Sequence, residues 1–268
     1  MTGLHSRFEL AQLLAKQTGE ILLQIASGKQ ITPSFKTDHS IVTEADTAAD
    51  KFIHSSIQQH FPGDRVLSEE LNPSQPAFLD SEDHFLWIVD PLDGTTNFSL
   101  GLPFWGVSIA CLQKGEPVAA AINFPVLGEL YTAHKGSGAN LNNHPLEPDD
   151  FYSQAKLSFF SACSRTYQQY KVSVPYKTRI LGSTCYNLCS VAKGTSILGF
   201  DATPKIWDIA AGWLIILEAN KAIDTLNAQV PFPLSGSIDY SKISFPTIAG
   251  ANKAVLAKAR NQIIPYNA

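Results

Sequence analysis

The chain has 268 residues, 44% of them hydrophobic and 16% charged, with a formal net charge of −4. That length supports one large domain or two closely packed lobes. The slight acidic balance, with no basic run, argues against nucleic acid or an acidic membrane as a partner. Met1–Leu10 lacks the apolar core of a secretory signal, and the longest apolar stretch, Ile209 to Leu217, is far too short to span a bilayer. Cys111, Cys163, Cys185 and Cys189 form no Cys-x-x-Cys pair, so core filling in a reducing cytoplasm is expected. The seven histidines show no zinc-ligand spacing.

In chain order, Leu10, Leu13, Leu14, Ile21, Leu22 and Ile25 recur at helical spacing within residues 7–26. After a polar loop that contains Lys36, Thr43 reads as the N-cap of a second helix, with Asp46 three residues on and an apolar face of Ala49, Phe52, Ile53 and Ile57. Phe61-Pro62-Gly63 stops it. Arg65–Ser68 reads as a short strand feeding Glu69-Glu70. Three strands with turns between them, Trp105–Leu112, Val118–Phe124 and Glu129–Ala133, read as an antiparallel meander. The second half alternates: strand Lys156–Ser161, a helix near Tyr167–Tyr170, strand Arg179–Leu181, helix 184–193, strand 195–200, helix 207–219, strands 221–226 and 246–250, and a last helix from 252. This order predicts an α/β layered sandwich of two lobes, 1–150 and 151–268, that share a cleft.

The most informative segment is Trp87-Ile-Val-Asp90-Pro-Leu-Asp93-Gly-Thr95-Thr-Asn-Phe98. The apolar run Phe85–Val89 predicts a buried strand, and Asp90-Pro91 and Gly94 predict an immediate turn at its carboxyl end. Both carboxylates can then converge on one point. Backbone N–H groups of Gly94 and Thr95 stand ready for an anion beside them. Two hard oxygen ligands next to an anion cradle suit a Mg²⁺-dependent phosphate site. Asp, Pro, Gly and Thr also make ordinary surface turns. Further acids in matching contexts favour the metal reading: Glu69-Glu70 at a strand end, Asp46 at a helix N-terminus, and Asp208 at the start of the apolar helix Trp207–Leu217.

These segments resemble the inositol monophosphatase family of Mg²⁺-dependent, lithium-sensitive phosphatases. The likeness covers nearly the whole chain in order: Val42–Asp46, Leu67–Glu70, Trp87–Phe98, Leu102–Ile109, Gly136–Asn142, and Trp207–Gly212 with Glu218-Ala219. It implies a five-layer αβαβα sandwich of the sugar and inositol phosphatase type, and a cytoplasmic, homodimeric hydrolase. The implied reaction is hydrolysis of a small polyol phosphate, foremost myo-inositol 1-phosphate. Fructose 1,6-bisphosphate, histidinol phosphate and 3′-phosphoadenosine 5′-phosphate are alternatives on the same fold. A non-catalytic binding or regulatory homologue is the alternative of another class; its mark would be a lost metal ligand, and none is lost.

The resemblance also implies roles. Glu69, Asp90 and the carbonyl of Leu92 would bind a first Mg²⁺, and Asp90, Asp93 and Asp208 a second, with a third, weaker ion near Glu69. Thr95, oriented by Asp46, would help deprotonate the attacking water, and the N–H groups of Gly94 and Thr95 would hold the phosphate. Asp93, Gly182, Ser183, Thr184 and Asp201 would contact the alcohol, and Lys36 either covers the mouth or is an ordinary exposed lysine. The chain departs from the family pattern at Leu100, across Thr195–Phe200 and at Asn220-Lys221. All of these lie in or near the lobe expected to meet the alcohol, so the departures bear on substrate choice.

Overall fold

The computed structural model describes residues 3–28, 34–35, 41–71, 85–146, 157–227, 229–236 and 238–266; Lys36 lies outside them. Helix α1 (Gly3–Gly28) buries Leu10, Ala11, Leu14, Ala15, Thr18, Gly19 and Leu22, a continuous stripe at three- and four-residue spacing. Two short strands, β1 (Ser34–Phe35) and β2 (Ile41–Val42), pair antiparallel before helix α2 (Glu44–His60). Thr43 caps α2 in a full capping box with Asp46.

Strands β3 (Arg65–Ser68), β4 (Phe85–Asp93), β5 (Gly106–Gln113), β6 (Glu116–Phe124), β7 (Glu129–His134), β8 (Ala139–Leu141) and β9 (His144–Pro145) form one seven-stranded sheet in that order. β3 and β4 run parallel and the later neighbours antiparallel, so the expected meander is present. The short helix α3 (Thr95–Ser99) links β4 to β5.

Both faces of this sheet are covered, which is why its central strands are apolar runs rather than alternating ones. On β4, Trp87 and Val89 face the layer of α1 and α2, where Leu14, Leu22, Ile53 and Ile57 pack. Leu86 and Ile88 face the opposite layer. At the outer edge Arg7 of α1 makes two bonds to Asp64, at 2.7 and 2.6 Å, and Trp87 Nε1 donates to the same carboxylate at 2.8 Å.

The second half supplies β10 (Phe159–Ala162), α4 (Thr166–Gln169), β11 (Tyr170–Val172), β12 (Thr178–Ile180), α5 (Thr184–Lys193), β13 (Ser196–Asp201), α6 (Ile206–Glu218), β14 (Ala222–Thr225), β15 (Thr247–Gly250), α7 (Lys253–Arg260) and β16 (Ile263–Pro265). Five of these strands form a mixed sheet in the order β12-β10-β13-β15-β14, and β11 pairs with β16. Helices α5 and α6 lie between the two large sheets. Leu188, Ile209 and Ile215 pack there with Ala120, Ile122 and Ala249. Leu256 and Ala259 of α7 pack on the far face of the mixed sheet with Leu198, Phe200 and Ile248. The layers are therefore α, β, α, β, α, the five-layer sandwich expected. No helix among the described residues is long and apolar enough to cross a membrane. All four cysteines are free, and Cys111, Cys185 and Cys189 are buried.

One local expectation is corrected. β4 does not end at Val89 but continues through Pro91 to Asp93, with its register against β5 shifting between Asp90 and Asp93. Proline cannot donate to a ladder, and a bulge is where a sheet tolerates it. The strand ends four residues later than expected, and the turn follows at Gly94.

Candidate active site

The bulge aims two carboxylates at one place. Asp90 and Asp93, three residues apart across the irregular stretch, offer oxygens that lie with an Asp208 oxygen within 4.8 Å of one another. Asp208 comes from the first turn of α6, where its Oδ2 accepts the Lys205 N–H at 2.7 Å. Asp90 Oδ1 accepts the Leu92 N–H at 3.0 Å. Asp93 accepts the N–H groups of Thr184 (3.3 Å) and Cys185 (3.0 Å) and the hydroxyl of Ser183, all at the start of α5. Each carboxylate is thus held by main chain, and the three elements meet where α6 and α5 approach the end of β4.

The electrostatics of this cluster are adverse without a cation. Burial raises Asp90 well above the ordinary carboxylate range, and the charges of Glu69, Asp93 and Asp208 push it the same way. Asp208 is raised by burial, then by Glu69 and Asp93. Burial also raises Asp93, against the opposing hydrogen bonds from Ser183 and the start of α5. Glu69, on the loop after β3, therefore acts electrically on the cluster although it lies outside the tight trio. Its N–H donates to Val89 O at 3.2 Å. Hard, anionic and crowded oxygen ligands of this kind fit Mg²⁺.

Beside the trio, Thr95 Oγ1 lies 3.0 Å from both Asp46 Oδ1 and Leu92 O, two acceptors for its one proton. Asp46 is 2% exposed. Its other oxygen accepts the Thr43 N–H and hydroxyl at 2.8 and 2.6 Å, which fixes the carboxylate. Burial raises its pKa, and the bonds from Thr43 and Thr95 oppose the rise. Gly94 has φ +87°, and a Cβ there would sit 2.8 Å from Phe104 O. Only glycine permits that turn with the β5 approach so close. Gly94 and Thr95 open α3, and N–H groups at a helix start have no intrahelical acceptor.

The opposite side of the site is the turn Gly182-Ser183. Gly182 has φ +77°, and a Cβ would press on Asn97 at 2.9 Å. Asn97 donates to Phe104 O (2.6 Å) and Leu181 O (2.7 Å), tying this turn to the α3 loop. Asp201, expected to meet the alcohol, is 2% exposed at the end of β13. The Asn187 amide donates to its two oxygens at 3.0 and 3.2 Å. Burial lifts its pKa to about 8.

The fold thus brings together Asp46, Asp90, Leu92, Asp93, Gly94, Thr95, Ser183, Thr184 and Asp208, with Glu69 close by. Reasoning from the sequence missed Asp50, Asn97 and Asn187. Asp50 carried a signal: it interrupts the apolar stripe of Ala49, Ile53 and Ile57 and is fully buried.

A carboxylate trio, with Asp90 and Asp93 buried and Asp208 half-buried, beside a threonine hydrogen-bonded to an acid and a helix start fits a metal-assisted phosphoryl-transfer type of site. The comparisons make the assignment specific. Residues 4–264 match the inositol monophosphatase family, and the chain belongs to that family of phosphatases. It is 33% identical to a histidinol-phosphatase of Chlorobaculum parvum over 79% of this chain and 82% of that one. It is 34% identical to inositol monophosphatase 2 of Solanum lycopersicum, over 76% and 82% respectively. The crystal structure of extragenic suppressor protein SuhB from Bartonella henselae superposes with a TM-score of 0.76 at 27% identity, covering 96% of this chain and 98% of that one.

Proposed function

We propose that this protein is a Mg²⁺-dependent phosphomonoesterase that hydrolyses a small polyol phosphate, myo-inositol 1-phosphate foremost. The observation that carries the reading is the convergence of Asp90, Asp93 and Asp208 within 4.8 Å, next to the Thr95–Asp46 pair. Asp90, Asp93, Asp208, Glu69 and the Leu92 carbonyl would hold two to three ions. Mg²⁺, when bound, supplies positive charge against the phosphoryl oxygens and makes a water acidic enough to attack near neutral pH.

The chain's own groups do the rest. The N–H groups of Gly94 and Thr95 hold the phosphate. The Thr95 hydroxyl takes a proton from the attacking water and passes its own to Asp46, whose burial makes it a better acceptor than an exposed carboxylate. Asp93, Gly182, Ser183 and Thr184 bound the alcohol side. In this scheme residues 1–150 supply the metal and phosphate lobe and residues 151–268 complete the site.

Histidinol phosphate is the second reading. Two observations favour it: the likeness to the Chlorobaculum parvum histidinol-phosphatase, and the engagement of Asp201 by Asn187, which leaves a polyol one fewer carboxylate to bond. Phosphate release with and without Mg²⁺ separates the readings, over inositol 1-phosphate, histidinol phosphate, fructose 1,6-bisphosphate and 3′-phosphoadenosine 5′-phosphate, with Asp93→Asn as control. Turnover of inositol 1-phosphate above the others, abolished in the control, supports the first reading. Preference for histidinol phosphate installs the second. A folded, Mg²⁺-binding protein that hydrolyses none of them would make it a binding homologue.

A further inference from the structure

Helix α2 carries two buried acids one turn apart, Asp46 and Asp50, at i and i+4 on one face. Asp46 meets Thr95. Asp50 meets a different loop: its Oδ2 accepts the N–H of Glu70 at 3.2 Å and of Leu71 at 2.9 Å. The Glu69 N–H donates to Val89 O at 3.2 Å. Three successive amides after β3 are therefore anchored, the first to the sheet and the next two to one carboxylate. Between those anchors sits Glu69, whose charge reaches Asp90 and Asp208.

Asp50 stands among Ala49, Ile53 and Ile57, all fully buried. A carboxylate in such surroundings costs free energy unless its bonds compensate. Here the two loop amides satisfy Oδ2, Oδ1 is buried with no hydrogen-bond partner among the described residues, and burial raises the pKa against the opposing bonds from the loop. An apolar residue at this place would complete the α2 stripe. The acid therefore points to a task on the loop it holds.

We propose that Asp50 is a positioning residue for the metal centre: by gripping the amides of Glu70 and Leu71 it sets the Glu69 carboxylate at its working distance from the Asp90, Asp93 and Asp208 trio. The inference rests on the metal-site reading above. It makes α2 a single rigid element that aims both the proton acceptor of Thr95 and the outlying metal ligand.

The test uses the full chain, with Asp50→Ala, which removes both bonds, and Asp50→Asn, which keeps an acceptor oxygen. Mg²⁺ affinity is measured by calorimetry, and amide hydrogen exchange of residues 69–71 is followed without metal. Outer-shell partners of ligands commonly change metal affinity about 10- to 100-fold. The expected result is Mg²⁺ binding about 10-fold or more weaker in D50A, faster exchange at Glu70 and Leu71, and kcat recovered to within a few-fold at saturating Mg²⁺. D50N should stay within about 3-fold of wild type on the same scale. Wild-type Mg²⁺ affinity in folded D50A overturns the proposal, whether or not exchange speeds up. Equal loss in D50A and D50N also overturns it, because charge rather than the anchored amides would then matter. If D50A does not fold, Asp50→Ser, too short to span both amides, is read by the same criteria. A wild-type protein that binds no Mg²⁺ would instead sink the metal-site reading itself.

Discussion

The two sides of the candidate site are built by different means. On the carboxylate side each acid is tied to main chain: Asp46 to Thr43, Asp90 to Leu92, Asp93 to Thr184 and Cys185, Asp208 to Lys205. Two of these ties, at Asp46 and Asp208, are the same device, an acid in the first turn of a helix reaching back to the N-cap amide. The facing turn around Gly182 is tied to the α3 loop through one side chain, Asn97. The chain on either side of that junction leaves large apolar residues in solvent, with Leu100 70% and Ile180 52% exposed. Anchoring like charges by the backbone keeps ligands in place at an electrostatic cost that a cation offsets. The turn also meets the proposed ligand Asp93, through the Ser183 hydroxyl and the amides of Thr184 and Cys185, so the two sides are joined at that one carboxylate.

The sharpest way to break this comparison is Asp90→Asn. The amide keeps an oxygen for the Leu92 N–H but removes one charge from the trio. Loss of several kcal/mol of metal-assisted stabilisation corresponds to roughly a 10³-fold or greater fall in kcat/KM. The same variant should melt higher than wild type when Mg²⁺ is chelated, because burial and neighbouring acids disfavour the Asp90 charge in the folded state. Phosphate release and thermal melts in chelator check both halves. A variant that is inactive and also less stable without metal would show that the trio is not under the repulsion argued here.

Gly182→Ala probes the other side and should act less. Its Cβ would meet both the Asn97 side-chain oxygen and nitrogen at 2.9 Å, in a conformation of positive φ. Strain of this kind costs about 1–3 kcal/mol. The disturbance passes through Asn97 to the α3 loop, while Asp93 keeps the amides of Thr184 and Cys185, so KM is expected to rise about 10-fold and Mg²⁺ affinity to stay within about 2-fold, since a small displacement of a substrate-positioning group can cost up to about 10²-fold. Steady-state kinetics paired with a Mg²⁺ titration distinguish this from a collapse of the whole site. Equal loss of Mg²⁺ binding would mean that the two sides are one unit.

How much of this was readable beforehand follows the range of the interactions. The Thr43–Asp46 capping box and the apolar α6 are local patterns, and each appears where its residues predict. Pro91 misled because its local meaning is a turn, whereas the long ladder with β5 absorbs it as a bulge. β8, β9, β11 and β16 are two or three residues long, too short for any period to show. Asp50 acquires its meaning only from amides 20 and 21 residues away. Asp201 likewise depends on Asn187, one layer over, which faces it across the α5–β13 contact.

Asp201 gives the smallest expected effect, one seen only in its pH dependence. Its folded pKa is raised to about 8 from an ordinary 3.8, chiefly by burial. Above about pH 8 the folded protein bears the buried charge, which lowers stability. As pH falls from about 8 toward 4 the folded state binds a proton that the unfolded state does not, so this group makes the protein more stable on acidification and less stable as pH rises. Asp201→Asn removes the titration. Its amide can also offer a donor toward Asn187 Oδ1, which is buried with no hydrogen-bond partner among the described residues. The variant should therefore melt a few degrees above wild type near pH 9, where about 1 kcal/mol corresponds to roughly 2–4 °C in a protein of this size. That gap should narrow steadily down to about pH 5. Other carboxylates titrate in both proteins, so the difference between the two Tm curves in chelator isolates Asp201. Parallel curves across that range would mean that Asp201 keeps an ordinary pKa in the folded chain. It would then be solvated enough to reach the alcohol, and the carboxylate that the second reading withdraws from the polyol would be returned to it.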